Sequence, residues 1–103
     1  MKHNIQNKDQ LLLLLKLNGL KIKAFGVEKI SLFGSFAHGT PTAKSDVDLL
    51  VFFKPEQKNF DNFMDLSFFL EELLGRKVEL VTPQSLDKYI GPQILNQAEN
   101  VVI

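Results

Sequence analysis

The sequence predicts a small α/β (α+β) fold, in which a mixed β-sheet is flanked by helices. Two short apolar runs, Val27–Phe33 and Val47–Phe53, are rich in branched and aromatic residues, which is typical of buried strands. Apolar residues recur at helical spacing in two other stretches, 11–17 and 60–74. In a chain of 103 residues, these patterns indicate one domain, 1–103, built around one core.

The N-terminal part is predicted to be helical. The first helix begins at a cap, Asn7 or Asp9, and a second, shorter helix follows over 20–25. The repeat in the first helix leaves Leu12 and Leu13 away from its main apolar face. These two leucines therefore either lie buried on a second side or form a surface that binds another protein.

A helix is predicted from an Asn59 cap to Gly75, followed by a third strand over 76–81. The apolar stripe of this helix includes Phe60 and Phe63, which we expect in the core rather than on a base-stacking surface. The expected order is therefore two helices, strand, short helix, strand, helix, strand and a last helical region.

The C-terminal region is predicted to begin with a helix at Thr82-Pro83, because proline suits a first helical turn. Gly91-Pro92 interrupts this helix, and 94–99 form a final turn or two. Tyr89 is expected to be structural rather than catalytic. The apolar tail, 101–103, is expected to pack or to pair with a strand.

Composition excludes several classes of protein. The apolar fraction is 45% and the net charge is zero, which argue against disorder and against direct binding of nucleic acid. The leucine run 11–15 is far shorter than the roughly 20 residues of a membrane span, and the N-terminal residues lack the uninterrupted apolar core of a signal peptide. The absence of cysteine excludes disulfides and thiol chemistry. We expect a cytoplasmic protein that does not bind membranes.

A turn of small residues directly follows the first strand. Gly34 lets a backbone approach an anion closely, and Ser35 adds a hydroxyl donor. We expect a short helix over 35–38, whose N-terminal N–H groups suit a phosphate. The simpler alternative is that Gly34-Ser35 is only a turn and that His38 is only an exposed residue at the end of a helix.

Two acids precede the second apolar run. Asp46 and Asp48 lie two residues apart on an extended chain, so they project to one side with α-carbons roughly 6.5–7 Å apart. Such a pair suits two divalent cations about 3.5–4 Å apart. The alternative is a solvated strand edge, but the five apolar residues 49–53 indicate a covered strand with the acids at a cleft.

A third acid, Glu79, lies between Val78 and Leu80 in the third predicted strand. A buried carboxylate without a partner costs several kcal/mol, so it requires a metal, a cation or water. We therefore consider Glu79 as a third metal ligand, with a solvent-exposed position on an edge strand as the alternative.

Gly34-Ser35, ten further residues and Asp46-Val47-Asp48 together resemble the signature of the DNA polymerase β-type nucleotidyltransferase superfamily. The segment LFGSFAHGTPTAKSDVDLLV and the short chain resemble its minimal nucleotidyltransferase branch. The resemblance implies a palm-like core with Asp46, Asp48 and a third carboxylate, at the place of Glu79, on two Mg²⁺ ions. The superfamily commonly has Asp where this chain has Glu79, and Arg where it has His38.

The resemblance also implies a substrate and a partner. Minimal nucleotidyltransferases are commonly antitoxins of HEPN ribonuclease toxins, and some transfer AMP from ATP to a tyrosine of the toxin. Asp46, Asp48 and Glu79 would then be catalytic, and Gly34, Ser35 and His38 would bind the nucleotide phosphates. The chain is expected to associate with the toxin or with itself. Two alternatives remain: a module that neutralises a toxin by binding alone, and a transferase acting on a small hydroxylated molecule such as an antibiotic.

Overall fold

Helices and a four-stranded sheet make up the part of the chain that the structure describes. The structure is a computed structural model that describes residues 5–39, 42, 45–83 and 98–103. The helices are α1 (Lys8–Leu17), α2 (Gly19–Ala24), α3 (Gly34–His38) and α4 (Phe60–Leu74). The strands are β1 (Val27–Phe33), β2 (Val47–Phe53), β3 (Val78–Val81) and β4 (Glu99–Val101). The mixed class expected from the sequence is confirmed.

The longer helices begin and end at residues with a clear capping role. The Asn7 Oδ1 atom accepts a hydrogen bond from the Gln10 N–H at 2.9 Å, and the Asn59 Oδ1 atom accepts one from the Asn62 N–H at 2.8 Å. The structure thus selects the first of the two caps considered for α1. Gly75 ends α4 with a φ of 68°. Within the described ranges, no helix is both long and apolar enough to span a membrane.

The sheet has the strand order β3-β2-β1-β4. Strand β1 is antiparallel to both β2 and β4, whereas β2 is parallel to β3, with α4 as the crossover that a parallel pair requires. Apolar side chains from the strands and from α1 and α4 form a buried cluster; it includes Leu11, Leu15, Ile30, Leu32, Leu49, Val51, Leu66 and Leu70. This topology brings the C-terminal end of β1 and the N-terminal ends of β2 and β3 together at the same end of the sheet.

The C-terminal segment corrects one prediction. Glu99, expected at the end of a helix, begins β4 and lies opposite Leu32 of β1. Its carboxylate is 2.6 Å from the ammonium group of Lys8 at the start of α1. Val101 is buried and pairs with Ile30, so the expected pairing of the tail is confirmed. A strand is preferred over a helix here because it forms hydrogen bonds with the backbone groups on the second edge of β1, which a helical ending would leave unpaired.

Two other boundaries also bear on the prediction. Strand β3 begins at Val78 rather than at Arg76, because the two residues after α4 form the connection into the strand. Most of the helix predicted to begin at Thr82-Pro83, including Tyr89 and the Gly91-Pro92 interruption, falls within 84–97, outside the described residues.

The expected burial of the α4 aromatics is only partly right. Phe63 packs against the core, whereas Phe60 is 74% exposed, so its expected place in the core is wrong. Phe60 is the first residue of the helix, where few other elements can cover its ring.

Candidate active site

Gly34 lies where β1 ends and α3 begins, with its backbone against an acid of the neighbouring strand. Its φ is 76°, a left-handed conformation that glycine adopts without strain. A Cβ atom at this position would overlap Asp48 Oδ2 and would lie 2.9 Å from Asp48 Cγ. Both the backbone conformation and the contact therefore require glycine here, and the Asp48 carboxylate packs against the turn that the sequence singled out.

Asp48 has a paired residue on each side within the sheet. It lies opposite Phe33 on β1 and opposite Glu79 on β3. Directly opposite residues on neighbouring strands project to the same face, so the Asp48 and Glu79 side chains are neighbours. Asp46 lies one residue before β2 and is half-buried, as Asp48 is, whereas Glu79 is exposed. The fold thus places Asp46 and Glu79 near Asp48, which itself lies against Gly34.

Burial and two neighbouring acids act on the Asp48 carboxyl group. Burial raises the pKa of Asp48 above its ordinary value of 3.8, and the charges of Asp46 and Glu79 raise it further. A carboxylate with acidic neighbours on both sides favours either a proton or a cation, since each neutralises part of the repulsion.

The donor set suits a hard divalent cation, although the side chains do not converge on one point. Carboxylate oxygens are the ligands that Mg²⁺ prefers. Among residues 5–39, 42, 45–83 and 98–103, no group of three or more His, Cys, Asp or Glu side chains is arranged to hold an ion. Asp48 with its two acidic neighbours therefore fits the cation chemically, and a set of three ligands would require a change in side-chain position.

Helix α3 carries the other two predicted site residues, and its position directly after β1 is as expected. The first N–H groups of any helix lack partners within that helix. Ser35 is half-buried in the first turn, next to the residue that contacts Asp48. His38 is exposed in the last turn. Ser35 therefore lies beside the acids, whereas His38 lies at the far end of this short helix.

Arg76 contacts the segment that leads into Asp46, a connection that the sequence analysis missed. Its Nη1 atom donates to the backbone oxygens of Thr42 at 2.8 Å and Ser45 at 3.0 Å. Its guanidinium carbon lies 5.0 Å from the centroid of the Phe36 ring. The available signal was compositional: Arg76 is the only arginine in the sequence. It directly follows the glycine that ends α4 and lies two residues before the strand that carries Glu79.

The leucines of the first two helices divide between core and surface. Leu12 is half-buried and packs against the core, whereas the Leu13 side chain is 57% exposed. Leu12 therefore agrees with the buried alternative, whereas binding of another protein through Leu13 stays a prediction. Leu17 and Leu20 are still more exposed, at 71% and 86%, so both α1 and α2 carry exposed apolar side chains.

Comparison with known proteins gives a consistent result. The sequence profile of the family described as "Polymerase beta, Nucleotidyltransferase" matches residues 16–103. The protein adenylyltransferase MntA of Thermococcus cleftensis is 41% identical over 73 residues, which cover 71% of this chain and 73% of that protein. Relatives in Methanocaldococcus jannaschii are provisionally named protein adenylyltransferases as well.

Solved structures share the same architecture. A protein provisionally described as a minimal nucleotidyltransferase superposes with a TM-score of 0.78 and 27% identity, over 98% of this chain and 100% of that one. A chain of a toxin–antitoxin complex with AMP-PNP superposes with a TM-score of 0.64 and 25% identity, over 92% of this chain and 72% of that one.

Proposed function

Because this chain belongs to the polymerase β nucleotidyltransferase family, we propose that it transfers AMP from ATP to a hydroxyl group of a partner protein. The partner we propose is a HEPN ribonuclease toxin, modified on a tyrosine, with this chain as its cytoplasmic antitoxin. The observation that carries the proposal is the position of the Asp48 carboxylate, packed against Gly34 and flanked by Asp46 and Glu79.

In this proposal, Asp46, Asp48 and Glu79 would hold two magnesium ions. Bound magnesium would contribute positive charge beside the triphosphate and the departing pyrophosphate. Asp48 and Glu79 lie at the starts of β2 and β3, where the sheet pairs their backbones, and Asp46 lies one residue before β2. Burial raises the pKa of Asp48, the charges of Asp46 and Glu79 raise it further, and a bound divalent cation would offset the repulsion among these carboxylates.

We assign Glu79 as the group that removes the proton from the acceptor hydroxyl. The transfer forms a bond from the acceptor oxygen to the α-phosphorus and breaks the bond from that phosphorus to the bridging oxygen of pyrophosphate, so the hydroxyl proton must be removed. Glu79 is exposed opposite Asp48 and can meet an acceptor that arrives from solvent. Compared with the aspartate common in the superfamily, its extra methylene extends the carboxylate by about 1.3–1.5 Å.

The start of α3 would receive the nucleotide phosphates. Gly34 places backbone next to the acids without a side chain in the way, and the Ser35 hydroxyl adds a donor in the same turn. His38 would contribute one further donor when neutral, or a charge when protonated. His38 stands where the superfamily pattern has arginine, so we expect it to bind the triphosphate more weakly than a bidentate guanidinium would.

A protein acceptor is supported by chemistry and by similarity. The zero net charge of the chain argues against a nucleic-acid acceptor. A relative with 41% identity is named a protein adenylyltransferase, and a similar structure is that of a toxin–antitoxin complex with an ATP analogue. The exposed leucines of α1 and α2 are consistent with a protein partner.

The decisive experiment incubates the protein and a candidate HEPN toxin with Mg²⁺ and ATP labelled on the α-phosphate. We expect label on the toxin with the wild-type protein and with Asp65→Asn, a matched loss of one exposed carboxylate on α4. Asp46→Asn and Asp48→Asn should abolish the label. Transfer that survives both of these substitutions would reject the metal assignment.

A second candidate function is neutralisation of a toxin by binding alone. The observation that favours it is that no three-ligand group is preformed within the described residues, together with His38 and Glu79 in place of the family's usual residues. Thermal melting distinguishes the two functions, because a ligand at 100 times its Kd stabilises a protein by about 2.7 kcal/mol. Mg-ATP should raise the Tm of the wild-type protein if it is an enzyme and leave the Tm unchanged if it only binds.

A further inference from the structure

Arg76 connects several segments that meet beside the acidic site. Its Nε atom donates to the backbone oxygen of Ile5 at 2.7 Å, and its Nη1 atom donates to the backbone oxygens of Thr42 and Ser45 at 2.8 and 3.0 Å. The same guanidinium lies over the ring of Phe36, a fully buried residue of α3. One side chain therefore links the N-terminal segment, α3 and the loop before β2.

The backbone on the C-terminal side of Arg76 is fixed to the rest of the fold. The Val78 N–H donates to Glu71 Oε2 at 3.1 Å, and the Lys77 backbone oxygen accepts from the Val47 N–H at 3.0 Å. The arginine thus projects from a connection already tied to α4 and to the first residue of β2, so its guanidinium has a defined position from which to hold the loop.

The turn bound by Arg76 ends at the residue before Asp46. The Ser45 N–H donates to the Thr42 backbone oxygen at 3.1 Å, and the Thr42 N–H donates to Ser45 Oγ at 2.8 Å, so the turn is closed within itself. Arg76 Nη1 binds the carbonyl oxygens at both ends of this turn. The Ser45 carbonyl belongs to the peptide unit that contains the Asp46 nitrogen, so any shift of that peptide moves Asp46.

We propose that Arg76 is a positioning residue, which sets the place of Asp46 relative to Asp48 and Glu79 and thereby the metal affinity of the site. This inference rests on the proposed function, because the metal site formed by these three acids is part of that function. Arginine suits the task since its planar group carries several donors in fixed directions and also stacks on an aromatic ring. Lysine keeps the charge but lacks the fork, so it cannot bind Ile5 and the turn in the same way.

The test measures Mn²⁺ binding by electron paramagnetic resonance, and amide exchange by NMR in metal-free buffer, on the full chain. The variants are Arg76→Lys, Arg76→Ala and the control Lys77→Ala, which removes one exposed neighbouring positive charge. In both Arg76 variants we expect faster exchange at the Asp46 and Val47 amides and Mn²⁺ binding about tenfold weaker, the scale of losing a residue that orients metal ligands. Lys77→Ala should change neither quantity.

The outcomes separate this inference from the proposed function. Unchanged exchange at Asp46 in folded Arg76→Lys would overturn the positioning role, as would unchanged Mn²⁺ affinity in a variant with a lowered Tm. An equal loss of Mn²⁺ affinity in Lys77→Ala would show that the effect does not depend on the Arg76 contacts and would also overturn the positioning role. If the wild-type protein binds no Mn²⁺ while the Arg76 variants still show faster exchange, the proposed function fails but the link from Arg76 to Asp46 stands.

Discussion

Replacing Gly34 by alanine should disturb the contact between the end of β1 and Asp48. The left-handed φ of 76° costs a residue with a Cβ about 1–2 kcal/mol. The new methyl group would also lie 2.9 Å from Asp48 Cγ and overlap its oxygen, and forcing such an overlap typically costs about 1–3 kcal/mol. The expected loss in the free energy of unfolding is therefore about 2–5 kcal/mol, a large share of the roughly 5–15 kcal/mol of a small protein.

Gly39→Ala is the matched control, because Gly39 has the same φ of 76° and an added Cβ there would meet no described atom within 4 Å. Urea denaturation in the absence of metal should show a loss of only about 1–2 kcal/mol for this variant. The difference between the two variants measures the overlap with Asp48. In an Asp48→Ala background, where the carboxylate is gone, the two glycine substitutions should cost nearly the same.

The same contact predicts a functional consequence. Because the Asp48 carboxylate must move away to make room for a methyl group, Gly34→Ala should weaken Mn²⁺ binding, whereas Gly39→Ala should not. Equal losses of stability in the two glycine variants, or a Gly34→Ala protein that binds Mn²⁺ as the wild type does, would refute the argued contact.

Three further predictions concern the acids and the core. The raised pKa of Asp48 means that the folded state binds the carboxyl proton more tightly than the unfolded state does. The free energy of unfolding should therefore fall as the pH rises from 3.8 through the folded-state pKa, and Asp48→Asn should lack this fall. In EDTA this variant should thus be more stable than wild type at pH 7, by a margin that closes below pH 3.8, and parallel pH curves would contradict the cause given for the shift. Glu79→Gln should reduce label transfer far more than Glu79→Asp, measured at equal folded concentration, and equal rates would exclude Glu79 as the proton acceptor. Leu70→Ala, at a fully buried position, should cost about 2–5 kcal/mol in urea denaturation, against less than 1 kcal/mol for the exposed Leu20→Ala.

Local patterns in the sequence were sufficient to predict most of the elements. The asparagine caps, the glycine that ends α4 and the two apolar strands act over a few residues, so their signals are contiguous in the chain. The failure at Glu99 has the opposite cause: β4 forms because β1 offers a second edge, and that edge lies far away in sequence. A helical pattern near the C-terminus carries no information about that distant edge of β1.

The candidate site divides in the same way. The sequence by itself determined the chemistry of two local features: an acid pair before one buried strand and a Gly-Ser turn after another. Both could be predicted because their chemistry follows from residue identity and spacing. Only the tertiary structure decided that Asp48 packs against Gly34, that Glu79 lies opposite it across a parallel pair, and that Arg76 holds the turn before Asp46. These contacts join residues from separate elements, so they depend on strand order and on the course of α4 between β2 and β3, which no local spacing encodes.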